Sequence, residues 1–300
     1  MAVGSCPAGS GECNRRNFRI AGVDVGAKRT AGEGSGIDLS EVNTVKGAHP
    51  DWLLSTWWPF GLWNYAVPEL RRFRTAIIRE LAENYDLDGF QIDFARHIPV
   101  LPVGRQWELR DELTDFMRQV REALDEVGKS KGKRFEICAR VNRAPEGAES
   151  DGLDVKTWVD EGFVDMLTIG SRSFEVNLPG WRDYLASDIT LRPCIDVCHF
   201  TDGYPRPSVD ILRGVADRFW CQGADGLVLF NWGACSPEAM DKLNVWKNPQ
   251  AKKTLVNALS HQFNAITEIG DRNTLKGKRK IFPVERRGNS RMGNYRWREG

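Results

Sequence analysis

A strong charge of either sign is missing from this 300-residue chain, in which 42 Lys+Arg stand against 41 Asp+Glu. Without a global field, neither nucleic acid nor an anionic membrane is expected as a partner. Also missing is any stretch approaching the ~20 consecutive apolar residues of a membrane span. Residues 1–16, M-A-V-G-S-C-P-A-G-S-G-E-C-N-R-R, lack an apolar core long enough for an export signal. The expectation is a soluble chain without an export address, cytoplasmic by default. The seven cysteines are an odd number and show neither C-x-x-C nor Cys/His zinc spacing. Cys138, Cys194 and Cys221 lie in apolar segments and read as small buried hydrophobes of a reduced protein. Cys194, Cys198 and His199 have no fourth ligand at hand, so no metal is expected. Neither G-x-G-x-x-G nor a P-loop occurs, which argues against a nucleotide-binding doubly wound sheet, and no cofactor is expected.

The chain does contain a regular alternation. Residues 1–48 are rich in Gly, Ser and charge, and only Phe18 to Val25 reads as a strand. From His49 to Tyr65 the segment holds four of the eleven Trp. Pro68 opens a helix with Leu70, Phe73, Ile77 and Leu81 on one face. Strands follow at Asp88–Asp93, Phe135–Asn142, Val164–Gly170, Ile189–Asp196 and Gly226–Asn231, with helices between them, the longest near Trp107–Val127 and Val209–Cys221. Five strands alternating with helices are the pattern of parallel β/α units in one sheet. Polar residues stand at the strand ends: Asp93, then Arg140 and Asn142, Thr168, Asp196 and His199, and Asn231. Their convergence on one face favours a (β/α)8 TIM-type barrel. The domains expected are an irregular segment 1–48, a barrel 49–247, and a C-terminal helix and basic tail 248–300. The basic run Lys276 to Arg287 reads as a solvated loop.

Several segments in order resemble the glycoside hydrolase-like (β/α)8 barrel family: H-P-D-W (49–52), N-Y-A-V-P-E-L-R (64–71), Y-D-L-D-G-F-Q-I-D-F-A-R (85–96), A-R-V-N (139–142) and G-L-D-V-K-T-W-V-D-E-G-F-V-D-M-L (152–167). The resemblance implies that Y-D-L-D-G begins the fourth barrel strand. The five strands are then the fourth to eighth, with His49 to Ser55 near the end of the third. The first two strands would be missing or replaced, giving an incomplete barrel. Chitinase-type barrels carry D-G-x-D-x-D-x-E, of which Asp88, Gly89 and Asp93 match while Gln91 and Ala95 depart. Amylase-type barrels carry G-F-R-x-D-x-x-x-H, matched at Gly89, Phe90, Asp93 and His97 with Gln91 in place of Arg; their acid Glu falls where this chain has Arg140-Val141-Asn142.

Glycoside hydrolysis ordinarily needs two carboxyl groups, one protonated and one ionised. Asp93, at a strand end, supplies one, although its structural alternative is to cap the next turn. Asp196 is the candidate for the second, with Glu146, Glu149 and Glu175 as rivals in loops. Arg140 beside Asp93 would keep that carboxylate ionised. Arg96, His97, Arg140, Asn142, His199, Asn231, Trp232 and Trp58 are the expected substrate contacts. Trp52, Trp57 and Trp63 join Trp58 and Trp232 as candidate stacking platforms for sugar rings, whereas Trp158 and Trp220 belong to the core. The expected function is hydrolysis of O-glycosidic bonds in a poly- or oligosaccharide with Asp93 as the key carboxylate. Against it stands a non-catalytic carbohydrate-binding barrel or an inactive truncated fragment. Asp93→Asn is expected to abolish hydrolysis and leave the fold nearly intact.

Overall fold

The computed structural model describes residues 20–24, 44–56, 61–95, 97–170, 173–196, 207–230, 249–250, 253 and 263–284. The chain forms two compact units, one of Arg15–Leu167 with Tyr184–Ile189, the other of Met1–Asn14, Thr168–Asp183 and Thr190–Gly300.

In the first unit, strands β1 (Ile20–Asp24), β4 (Gly89–Asp93) and β5 (Glu136–Val141) lie side by side and parallel. After the one-turn helix α1 (Thr44–Ala48), a short antiparallel pair, β2 (Leu53–Leu54) with β3 (Leu62–Trp63), precedes helix α2 (Pro68–Asn84). Pro68 occupies its first turn, as the missing amide hydrogen requires. The buried stripe of α2 is Leu70, Ile78 and Ala82, shifted from the expected face, with Phe73, Ile77 and Leu81 half-buried beside it. The reason is Arg71, which is buried as well. It donates to the Tyr65 carbonyl and reaches Glu112 and Asp115 of helix α3 (Arg110–Lys131), so the contact with α3 rotates the stripe. Helix α3 buries Leu113, Phe116, Val120 and Leu124, the expected spacing. Short helices α4 (Pro145–Ser150) and α5 (Val155–Asp160) follow β5.

Strand β6 (Met166–Ile169) begins in the first unit and ends in the second. Helix α6 (Leu178–Leu185) follows, and in the second unit β7 (Thr190–Asp196) pairs in parallel with β8 (Val228–Phe230) across helix α7 (Val209–Cys221). Ser208 caps α7 by accepting from the Ile211 amide. Residues 263–269 are helical; there Ala265 and Ile269 are buried, and the Ile269 carbonyl accepts from the Trp220 indole.

The strands β4 to β8, with helices between them, are the five expected parallel strands, and the class is α/β, an incomplete β/α barrel. Two expectations change at its start. His49 to Ser55 is not a parallel strand: it comprises a 3-10 turn (Pro50–Trp52) and β2, whose only two residues pair antiparallel with β3. The position beside β4 is taken by β1, in register from Ile20 opposite Gly89 to Asp24 opposite Asp93.

One device recurs at the strand entries. Asp165, just before β6, donates its amide to the Ile137 carbonyl and accepts the Ile137 amide on its carboxylate at 2.7 Å. Asp225, before β8, does the same to Leu191 of β7, accepting its amide at 2.8 Å. Each carboxylate is also held by arginine, Asp165 by Arg121 and Arg134, Asp225 by Arg182. A two-point grip on one residue of the neighbouring strand fixes register, because a slip of one residue would break both bonds.

Among the described residues no helix is long and apolar enough to cross a membrane. Cys138 and Cys194 are buried free thiols, while Cys221 is exposed at the end of α7, its sulfur accepting from Arg272.

Candidate active site

Strand β4 can approach β5 only because it opens with Gly89, where a Cβ would lie 2.2 Å from the Glu136 carbonyl oxygen. The ladder set there runs in register to the far ends, where Asp93 and Arg140 are Cα partners. Phe94 continues it by donating to the Arg140 carbonyl at 3.0 Å. Paired residues of neighbouring parallel strands project to the same side of the sheet, so the two side chains meet. The Arg140 guanidinium, fully buried, donates to Asp93 Oδ2 at 2.9 Å, and the Asp93 side chain remains 13 % exposed. Asp93 Oδ1 accepts from the Ala95 amide at 3.0 Å. Asp93 therefore caps its own turn and also pairs with Arg140. Both contacts favour the ionised carboxylate.

Asn142 stands just past the end of β5, two residues beyond Arg140. It is buried, and its amide donates to Asp151 Oδ2. Asp151, only 5 % exposed, ends α4; in the sequence it is one acidic residue among several in a loop. The signal that could have found it is the dipeptide Asp151-Gly152. Gly152 has φ +78°, and a Cβ there would lie 2.4 Å from the Gln106 carbonyl oxygen and 2.7 Å from Leu101. The turn carrying Asp151 is thus seated against the segment that follows β4.

His97 is buried in the segment after β4, together with Phe94, Ala95, Ile98, Val100 and Leu101, and Phe94 packs on Trp158 with ring centroids 5.1 Å apart. Asp196 ends β7, fully buried, in the second unit. Arg96, His199, Asn231, Trp232 and Trp58 lie outside the described residues, as does Trp57. Of the rival carboxylates, Glu146 is exposed, and Glu175 pairs with Arg218 at 3.1 Å. Glu149 is hydrogen-bonded to Tyr184, whose phenol is pushed far up by burial first and by Glu149 next.

The aromatic expectation is corrected in two places. Trp52 is buried and stacked on His49 at 3.9 Å, and Trp63 is buried under the Lys46 ammonium, which sits 5.0 Å from its ring centroid and donates to the Gly61 carbonyl. A ring already covered on its faces offers no platform. Trp158 is core, as expected. Trp107, in the segment between β4 and α3, is 41 % exposed, with Arg110 over its ring at 4.9 Å.

No protein-family description and no curated protein matches the sequence. Among solved structures, the chain is similar to chitinase ChiA74 from Bacillus thuringiensis, at 16% identity and a TM-score of 0.35, over 44% of this chain and 25% of that one. It is similar to a glycoside hydrolase family 18 N-acetylglucosaminidase from Paenibacillus barengoltzii, at 10% identity and a TM-score of 0.43, over 65% of this chain and 76% of that one. The catalytic domain of the psychrophilic chitinase B from Arthrobacter TAD20 gives 12% identity and a TM-score of 0.44, over 82% of this chain and 76% of that one. By their descriptions two are chitinases and one is a glycoside hydrolase family 18 N-acetylglucosaminidase, and the chain spans a quarter of the length of the first.

Proposed function

We propose that this protein is a glycoside hydrolase-like enzyme that cleaves O-glycosidic bonds of a poly- or oligosaccharide, with Asp93 as the ionised carboxylate at the reacting carbon. The observation that carries this reading is the Asp93–Arg140 pair at the C-terminal ends of two adjacent parallel strands. That is where β/α barrels hold their chemistry, and a partly exposed carboxylate fixed in its charged form suits a centre that develops positive charge in the transition state. Asp93 is held on both oxygens, which suits a nucleophile or electrostatic stabiliser and leaves proton donation to another group.

The same saturation of Asp93 supports a second reading, a carbohydrate-binding barrel in which the pair is only structural. Incubation of the purified chain with a panel of aryl glycosides and with plant and algal polysaccharides separates the two. Release of reducing ends that is lost in Asp93→Asn is the expected outcome. Binding of a glycan without turnover would end the enzyme reading.

A further inference from the structure

We infer that Trp107 is a stacking platform for a second sugar ring, beyond the one at Asp93, so that the ligand is a glycan chain rather than a single sugar; this deepens the reading of Asp93's face as a sugar site and rests on it. Topology fixes the side of the sheet. The chain leaves β4 at Asp93 and returns along α3 to the start of β5, as two parallel strands require. The first residue of α3, Arg110, therefore stands on the side of the sheet where Asp93 stands, and Trp107 comes just before it in the same loop. On that side the strand ends and the loops beyond them meet ligands in β/α folds. Asp93 ends a strand, in the inner layer, whereas Trp107 leads into a helix, in the outer layer. A ring stacked on Trp107 is thus a different ring from the one at Asp93.

A single exposed apolar residue needs no explanation by itself. Trp107 is distinguished by how firmly it is held while 41 % exposed. Its carbonyl accepts from the Arg110 guanidinium at 2.9 Å, and the same guanidinium lies 4.9 Å from the indole centroid and 3.8 Å from Asp154 at the start of α5. Just ahead of it, the Gln106 carboxamide accepts from the Gly104 amide at 2.7 Å, and the Arg105 and Leu109 amides close turns on the Pro102 and Arg105 carbonyls. The bare Gly152 admits the Gln106 carbonyl into the turn after α4, since a Cβ there would lie 2.4 Å from that oxygen. An indole fixed in this way loses little freedom when a ligand stacks on it, so more of the contact appears as affinity. The occupant that fits is a pyranose. Its C–H face complements the negative face of the indole, and its hydroxyls stay in water at the edge. The charges around the ring compensate one another, Arg105 with Glu108 at 2.6 Å and Arg110 with Asp154, so the loop offers polar groups to hydroxyls without a net field that would select a charged ligand.

Oligosaccharides of one to six sugar units, cut from each plant and algal polysaccharide of the panel, test this by calorimetric titration into the full chain. The protein carries Asp93→Asn, so that no glycan is consumed, and is compared with Trp107 intact, as Trp107→Ala and as Trp107→Phe. The expected result is an affinity that rises with chain length when Trp107 is present. Trp107→Ala should remove roughly five- to tenfold of that rise, the size of one aromatic contact, and remove more from the longer chains than from the shortest. Trp107→Phe keeps a ring and should restore most of it, while the shift in tryptophan emission that accompanies binding shrinks. A loss equal at every length marks a general effect on the fold, and no loss at any length marks an idle indole; either overturns the proposal and leaves the glycosidase reading to the activity assay. Length-dependent binding through Trp107 in a protein that turns over no glycan upholds the platform and ends the enzyme reading. Failure of the chain with Trp107 intact to bind any member of the panel overturns the platform and the sugar site together. A dimer of the wild-type chain that Trp107→Ala dissociates would assign the indole to a second copy of this chain and overturn the proposal as well.

Discussion

Arg140 changes what a substitution at Asp93 does. The sequence suggests that Asp93→Asn spares the fold, but a fully buried guanidinium stands behind that carboxylate at 2.9 Å. Asn accepts one of its hydrogen bonds and removes the charge, so about 1–3 kcal/mol of stability should go together with the activity. Arg140→Met strands the carboxylate in turn and should cost about 3–5 kcal/mol, while the double variant Asp93→Leu/Arg140→Met costs less than the two single changes added. Urea unfolding of the four proteins measures this, and additive losses would show that the pair is not coupled. Asp93 and Arg140 were legible as a pair because both stand at strand ends, where the period of two and the parallel register decide what meets what. Asp151 was not legible, because a residue at the end of a six-residue helix has no periodicity to place it.

At the scale of elements, helices α3 and α7 and strands β4 to β8 lie within a few residues of where apolar spacing puts them. The buried face of α2 does not, because Arg71 is charged in sequence and buried in the fold through partners 41 and 44 residues away, Glu112 and Asp115. Long-range ion pairs of this kind leave no local signal. The Trp-rich segment misleads for a related reason: exposed and buried indoles have the same sequence signature, and only contacts such as His49 on Trp52 decide between them. The turn at Gly152 is the element whose alteration should be read most directly. Gly152→Ala combines a left-handed backbone with a Cβ 2.4 Å from a carbonyl oxygen, so it should cost about 1–3 kcal/mol by strain and overpacking. A thermal melt measures it, and a neutral result would mean that the segment 101–106 shifts freely.

The whole molecule should be acid-sensitive through a cluster in the second unit. Glu268 is hydrogen-bonded by Arg213 and Lys278, which hold its carboxyl down at about 2. In the unfolded chain the same carboxyl titrates near ~4.3. A depressed value means stability that is fully present above the unfolded value and is lost as pH falls from about 5 toward 2. Glu268→Gln should therefore flatten that part of the stability profile, measured by urea midpoints at stepped pH, and an unchanged slope would assign the acid response elsewhere. The expected barrel class follows from alternation along the chain. The placement of β1 beside β4 does not, since pairing partners far apart in sequence are chosen by packing, and the two-residue strands β2 and β3 are too short to show a period.

The aspartate grips at Ile137 and Leu191 carry a spectroscopic consequence. An amide proton bonded to a carboxylate resonates far downfield of one bonded to a carbonyl, and it moves upfield when the carboxylate is protonated. Two backbone signals of the ordinary amide spectrum, one in each unit, thus become internal probes that need no label beyond nitrogen-15. Followed during acidification, they would tell whether the two units let go of their strands at one pH or at two. That is a direct reading of how cooperative this chain is.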